Sequence, residues 1–105
     1  MSPTAPLNYA EQHADAFVGE LETLLRIPSV STDPDHADDV QQAAQWLAGH
    51  FRDLGVEAEV WPTDGHPVVY ATHHPHEDAP TVPVYGHYDV QPPDPLDEWD
   101  HPPFE

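Results

Sequence analysis

A chain of 105 residues that sets 20 acids against two arginines, with no lysine, carries a formal net charge of −18. That balance excludes nucleic acid and anionic membrane as partners, since both demand a basic footprint, and the absence of cysteine excludes disulfides and thiolate metal sites. The length suffices for one small domain that buries roughly 60–70% of its unfolded surface, and without a signal-peptide pattern after Met1 or an apolar run of membrane-spanning length, a soluble cytoplasmic protein is expected.

Met1 to Leu7 read as a loose terminus. Asn8 is placed to cap a helix, with Glu11 in capping-box position. Ala14, Phe17, Val18, Leu21, Leu24 and Leu25 then recur at the 3.6-residue period, which predicts one apolar stripe facing the core. Pro28 ends this helix near Arg26, and Ser29 to Asp35 form a polar turn. Asp33, Asp35, Asp38 and Asp39 gather at the start of a second helix near His36, where the helix dipole favours negative charge. Val40, Ala43, Ala44, Leu47, Phe51 and Leu54 mark its buried face, and Gly55 lies just past its end.

Val56, Ala58 and Val60 alternate with Glu57 and Glu59, the pattern of a half-buried strand. After a turn over Pro62 to Pro67, Val68 to Ala71 predict a second strand antiparallel to the first. The three histidines of His73-His74-Pro75-His76 invite a metal, but they sit on a loop tip of no fixed geometry, and the segment reads as a solvated connection. Thr81 to Gly86 predict a third, buried strand, in which Pro83 is awkward because it removes a ladder donor. From Val90 onward the prolines describe an extended loop, pinned to the body by Trp99 and Phe104. There is no internal repeat, phosphate-binding glycine loop or Ser/Cys nucleophile motif. The acids read either as the solvated surface of an ordinary enzyme or as an adaptation to high salt, where they are screened and hydrated.

The stretch Tyr85-Gly86-His87-Tyr88-Asp89-Val90-Gln91-Pro92-Pro93-Asp94-Pro95 stands apart. His87 and Asp89 fall where an apolar run gives way to a loop, the place where α/β sheets collect ligands. A neutral imidazole is the commonest protein metal ligand, and its second nitrogen is usually held by a carboxylate or carbonyl. Residues i and i+2 of an extended segment point the same way, so Asp89 can share a site with His87. On spacing alone a surface turn competes with a metal site.

The longer string through Leu96, Trp99 and Pro102-Pro103-Phe104-Glu105 resembles the first metal-binding segment of a zinc metallopeptidase family that includes aminoacylases, carboxypeptidase G-like enzymes, desuccinylases and carnosine-type dipeptidases. Tyr88 after the histidine, with Gln91-Pro92-Pro93-Asp94-Pro95, looks most like the dipeptidase branch. Leu24-Leu25-Arg26-Ile27-Pro28-Ser29-Val30-Ser31, Ala43-Ala44-Gln45-Trp46-Leu47 and Asp53-Leu54-Gly55 extend the likeness over nearly the whole chain. Pro83 departs from it, since relatives usually carry an aliphatic residue there. The resemblance implies an α/β fold in which residues 1–105 are the N-terminal segment of a mixed-sheet α/β/α catalytic domain: two helices, then about three strands. It implies amide hydrolysis of dipeptides or small peptides, two zinc ions (manganese or cobalt as alternatives), His87 as a metal ligand and Asp89 as the active-site acid. The remaining ligands and the catalytic glutamates lie downstream in that family, so the segment alone is expected to be inactive. The resemblance also allows a homodimer for the full-length protein. The competing readings are an N-acyl amino acid deacylase or desuccinylase of the same family, and a non-catalytic, acidic, histidine-rich metal-binding or interaction module.

Overall fold

The computed structural model describes residues 3–105. The strands, the 3-10 turn before it and the preceding helix pack on one helix, which takes the place of the second helix expected from the sequence. The described residues form three α-helices, α1 (Thr4–Gln12), α2 (Ala14–Leu25) and α3 (Ala37–Asp53), and a two-stranded sheet, β1 (Glu57–Trp61) and β2 (Val68–Thr72). The α/β class expected from the sequence holds.

On α3, Val40, Ala43, Ala44 and Ala48 fall at helical spacing and are fully buried. Three of these four are alanines, which lets neighbouring backbone approach the helix axis closely. Asp38 and Asp39 occupy the first turn, the favourable end of the dipole. Just upstream, Asp33 accepts a hydrogen bond from the Asp35 amide (2.9 Å) and opens a 3-10 turn over Pro34–His36. The C-terminus closes as a Schellman motif: the Gly55 N–H donates to the Arg52 carbonyl (2.9 Å) and the Val56 N–H to that of Phe51 (3.1 Å). Gly55 takes φ 81, the left-handed value that favours glycine. Leu54, expected on the buried face, instead points to solvent as the helix unwinds.

The hairpin pairs antiparallel from Glu57↔Thr72 to Trp61↔Val68, as the alternation predicts. Ala58 turns inward, while Glu57, Glu59 and Trp61 turn out. On the outer face Trp61 and Tyr70 stack at 4.4 Å. Arg52 reaches from α3 to the edge of β1, where Nε and Nη2 both donate to the Ala58 carbonyl (3.0 and 2.8 Å). One of the chain's two cations therefore ties helix to sheet.

The N-terminal region departs from expectation. Thr4 to Leu7 are helical, and Asn8 lies inside α1 with no capping role; Met1 and Ser2 lie outside the described residues. Pro6 is tolerated because first-turn N–H groups need no intrahelical partner. The helix breaks at His13 (φ −111, ψ 13), whose ring stacks on Tyr9 at 3.9 Å with Nδ1 at 2.8 Å from the Tyr9 carbonyl oxygen. The stripe of α2 is not core either: Phe17, Val18, Leu21 and Leu25 are exposed. The helix is tethered to α3 by Glu20 and His50 (3.5 Å), the latter stacked on Trp46.

The third expected strand is unpaired. Residues 81–89 join no ladder, and Val84 and Tyr85 are 92% and 95% exposed. Pro83 offers no N–H, and nothing among the described residues lies alongside to supply a partner. The only sheet-like contact nearby, among the described residues, is a parallel bridge between Val30 and Val90. Trp99 anchors the final loop on itself, its indole N–H donating to the Pro93 carbonyl (2.7 Å) beside a short 3-10 turn over Leu96–Glu98, and Phe104 is half-buried. The radius of gyration, 16.6 Å, exceeds the roughly 13 Å of a compact domain of this length. The excess matches the exposed apolar stripe of α2 and the exposed run at Val82, Val84 and Tyr85. No helix among the described residues is long and apolar enough to cross a membrane.

Candidate functional site

The segment from Ile27 to Ser31 leaves α2 and runs beneath the motif. Ile27, Ser29 and Val30 are all buried, and the hydroxyls of Ser29 and Ser31 face residues 88–90. Ser29 makes a two-point backbone connection there. Its carbonyl accepts from the Val90 N–H (2.9 Å), and its hydroxyl donates to the Tyr88 carbonyl (3.1 Å). The Tyr88 hydroxyl in turn donates to the Pro67 carbonyl (2.5 Å), bringing the hairpin turn to the motif. His66, from that same turn, places Nε2 2.7 Å from the Ser31 carbonyl oxygen.

Within this frame His87 and Asp89 meet as the i, i+2 spacing predicts. Asp89 Oδ1 lies 2.9 Å from His87 Nδ1, and its main-chain carbonyl lies 3.1 Å from the same nitrogen. Both oxygens can only accept, so Nδ1 carries the proton. In the neutral ring Nε2 is then the free lone pair, and the side chain is 76% exposed. The arrangement is that of an imidazole prepared to donate to a cation from Nε2. Asp89 Oδ2 accepts from the Ser31 hydroxyl at 2.5 Å.

These contacts set the electrostatics. The Ser31 hydroxyl holds the Asp89 carboxyl below its ordinary value; burial opposes it, and the His87 ring adds a further, lesser lowering. Burial, with the Asp89 charge beside it, pushes the Tyr88 phenol up. Because the folded-state value of Asp89 is depressed, its contribution to stability is present above the unfolded value, about 3.9. It is lost as pH falls through the folded value. Ser31→Ala is therefore expected to move the Asp89 carboxyl titration, followed by carbon-13 NMR, upward toward the unfolded value. An unchanged midpoint would show that the hydroxyl does not hold the charge.

Fit to a metal is partial. Among the described residues no group of three or more His, Cys, Asp or Glu side chains comes together to hold an ion. His87 can supply one ligand, with Asp89 behind it. His73, His74 and His76 stay in an irregular, exposed loop, as their polar context suggests. Open clefts of about 320 and 350 Å³ lie elsewhere, the first between Leu25 and Phe104 and the second between Ile27 and Trp46.

Sequence reasoning placed His87 and Asp89 but missed Ser29, Ser31, His66 and the Tyr88 hydroxyl. The one available cue was Ser29-Val30-Ser31 itself, two hydroxyls flanking an apolar residue in strand alternation. It does not say what the hydroxyls face.

Comparison with known proteins bears out the resemblance read from the motif. No family model matches the chain. Over 87 residues it is 34% identical to the cysteinylglycine-S-conjugate dipeptidase of Corynebacterium striatum, covering 82% of this chain and 19% of that protein. Over 104 residues it is 30% identical to the Cys-Gly metallodipeptidase dug1 of Schizosaccharomyces pombe, covering 90% and 22% respectively. Its fold superposes on the di-peptidase Dug1p of Saccharomyces cerevisiae with a TM-score of 0.88 at 27% identity, over 98% of this chain and 24% of that one. The chain thus spans about a fifth of the length of the curated relatives it matches.

Proposed function

From its kinship with the dipeptidase branch of the metallopeptidases, we propose that this chain is part of a metal-dependent dipeptidase whose substrates are Cys-Gly-type dipeptides or small peptides related to them. The observation that supports the reading most directly is the His87 ring, clamped at Nδ1 by Asp89 with Nε2 turned outward. In this reading residues 1–105 are a segment of a larger α/β/α catalytic domain. The ligands that His87 lacks come from elsewhere in a longer protein.

Zinc suits an imidazole and carboxylate ligand set best, with manganese or cobalt as substitutes. A bound zinc pair would supply Lewis acidity toward the scissile amide. The chain's own contribution is to bind through His87 Nε2, to hold the His87 proton on Nδ1 through Asp89, and to fix both groups on the Ser29–Ser31 segment. The acidic chain, short of cations, fits a small peptide as partner and neither nucleic acid nor an anionic membrane. We place the protein in the cytoplasm, with a homodimer as the expected assembly of the longer protein.

The test is hydrolysis of Cys-Gly by the full-length protein, followed by glycine release before and after dialysis against a chelator. Activity lost on chelation and restored by zinc, manganese or cobalt is the expected result. Turnover of N-acyl amino acids with Cys-Gly untouched would move the protein to the deacylase side of the family. Turnover of neither, in a metal-loaded protein, would overturn the proposal.

A further inference from the structure

We propose that Ser31 is a positioning residue, whose hydroxyl fixes the Asp89 carboxylate so that His87 is held as the Nδ1–H tautomer with Nε2 presented outward. The consequence for metal binding rests on the ligand role proposed above for His87; the tautomer itself does not.

Three observations carry the inference. First, the motif has no sheet to hold it, because residues 81–89 are unpaired. Beyond the one backbone bond from the Val90 N–H to the Ser29 carbonyl, side-chain contacts orient His87 and Asp89. Second, a carboxylate torsion is broad and roughly two-fold, so a lone Asp does not choose its own orientation. Here the two oxygens divide: Oδ2 takes the Ser31 hydroxyl at 2.5 Å and Oδ1 faces His87 Nδ1 at 2.9 Å. A carboxylate has no proton to give, so Ser31 must donate. The Asp89 side chain is 39% exposed, and without that donor water would compete for Oδ2 and free the torsion.

Third, Ser31 is itself immobilised. Val30 beside it is buried, and its own carbonyl faces His66 Nε2 at 2.7 Å. His66 sits in a turn ordered by Thr63, whose hydroxyl donates to the His66 carbonyl (2.7 Å) and accepts from the Gly65 N–H (3.0 Å). The hairpin turn, the segment after α2 and the motif therefore lock together through Ser31. Free histidine in water favours the opposite, Nε2–H tautomer, so a reversal at His87 reports this lock directly.

The experiment is long-range proton–nitrogen NMR of this chain at mildly alkaline pH, where imidazole is neutral. In the wild type the His87 ring should show a protonated Nδ1 and an unprotonated Nε2. Ser31→Ala should shift the population toward Nε2–H, and Ser31→Thr, which keeps the hydroxyl, should restore it. Amide signals of the hairpin report whether the fold persists. Should Ser31→Ala unfold the chain, Ser31→Cys, of similar size and with a weak donor, carries the same expectation. A wild-type ring already in the Nε2–H form, or an unchanged ring in Ser31→Ala or Ser31→Cys, overturns the proposal. In the full-length protein, zinc affinity by chelator competition should fall about 10–100-fold in Ser31→Ala and recover in Ser31→Thr. A tautomer shift in a protein that neither binds metal nor cleaves dipeptides would leave Ser31 in place and remove only the enzymatic reading.

Discussion

Replacing His87 by alanine in the full-length protein is expected to strip metal from the site and lower Cys-Gly turnover by roughly 10³-fold or more. The magnitude follows from the several kcal/mol that a metal supplies to a transition state, at about 1.36 kcal/mol per tenfold. Asp89→Asn should behave differently. Its amide oxygen can still accept from His87 Nδ1, and the Ser31 hydroxyl can turn to accept from the amide NH₂, so the ring stays oriented. What is lost is the negative charge behind the His87 ring. We expect metal content near that of the wild type and turnover reduced about 10–100-fold. Elemental analysis beside kinetics separates the two roles. Equal metal loss in both variants would make Asp89 a ligand, whereas full activity in His87→Ala would remove the site altogether.

The second large effect concerns salt. Both arginines are engaged, Arg52 with a carbonyl and Arg26 with Glu22 at 3.9 Å on the surface. Few of the 20 acids therefore have a full cation to face. Self-repulsion opposes the compact state, and mobile ions weaken it as the Debye length falls from about 10 Å at 0.1 M to about 3 Å at 1 M. Acids in the first turn of α3 are offset by its dipole, but Glu57, on the outer face of β1, has no such help. The melting temperature should rise by about 5 °C or more between dilute and molar potassium chloride, corresponding to roughly 1 kcal/mol. Repeated at a pH that protonates the carboxylates, the rise should vanish. A flat series at neutral pH, or an equal rise in acid, would mean that repulsion is not the cause.

What could be read from the sequence was what short-range physics decides. The buried stripe of α3, its stop at Gly55 and the β1–β2 pairing all follow from period, cap and alternation within a few residues. The pairing of His87 with Asp89 follows from i, i+2 geometry. What escaped was set by partners. The break at His13 depends on a ring stacked on Tyr9. The Ser31–Asp89 hydrogen bond spans 58 positions and has no local signature. The stripe of α2 and the run at Val82 to Tyr85 were read as buried because their patterns say so. Burial also needs an opposing surface, and residues 3–105 do not supply one.

The unpaired segment at 81–86 has a consequence for solubility. Thr81-Val82-Pro83-Val84-Tyr85 is apolar, uncharged and open along its backbone, the composition from which cross-β fibrils grow. Pro83 sits at its centre. Without an N–H it cannot take its place in a continuous intermolecular ladder, and its ring crowds any strand laid against it. Pro80 limits the run on one side and the charged Asp89 closes the other. The residue that looked out of place in a strand thus acts as a gatekeeper: Pro83→Val would join Val82 to Val84 and Tyr85 in an unbroken template for self-templating growth.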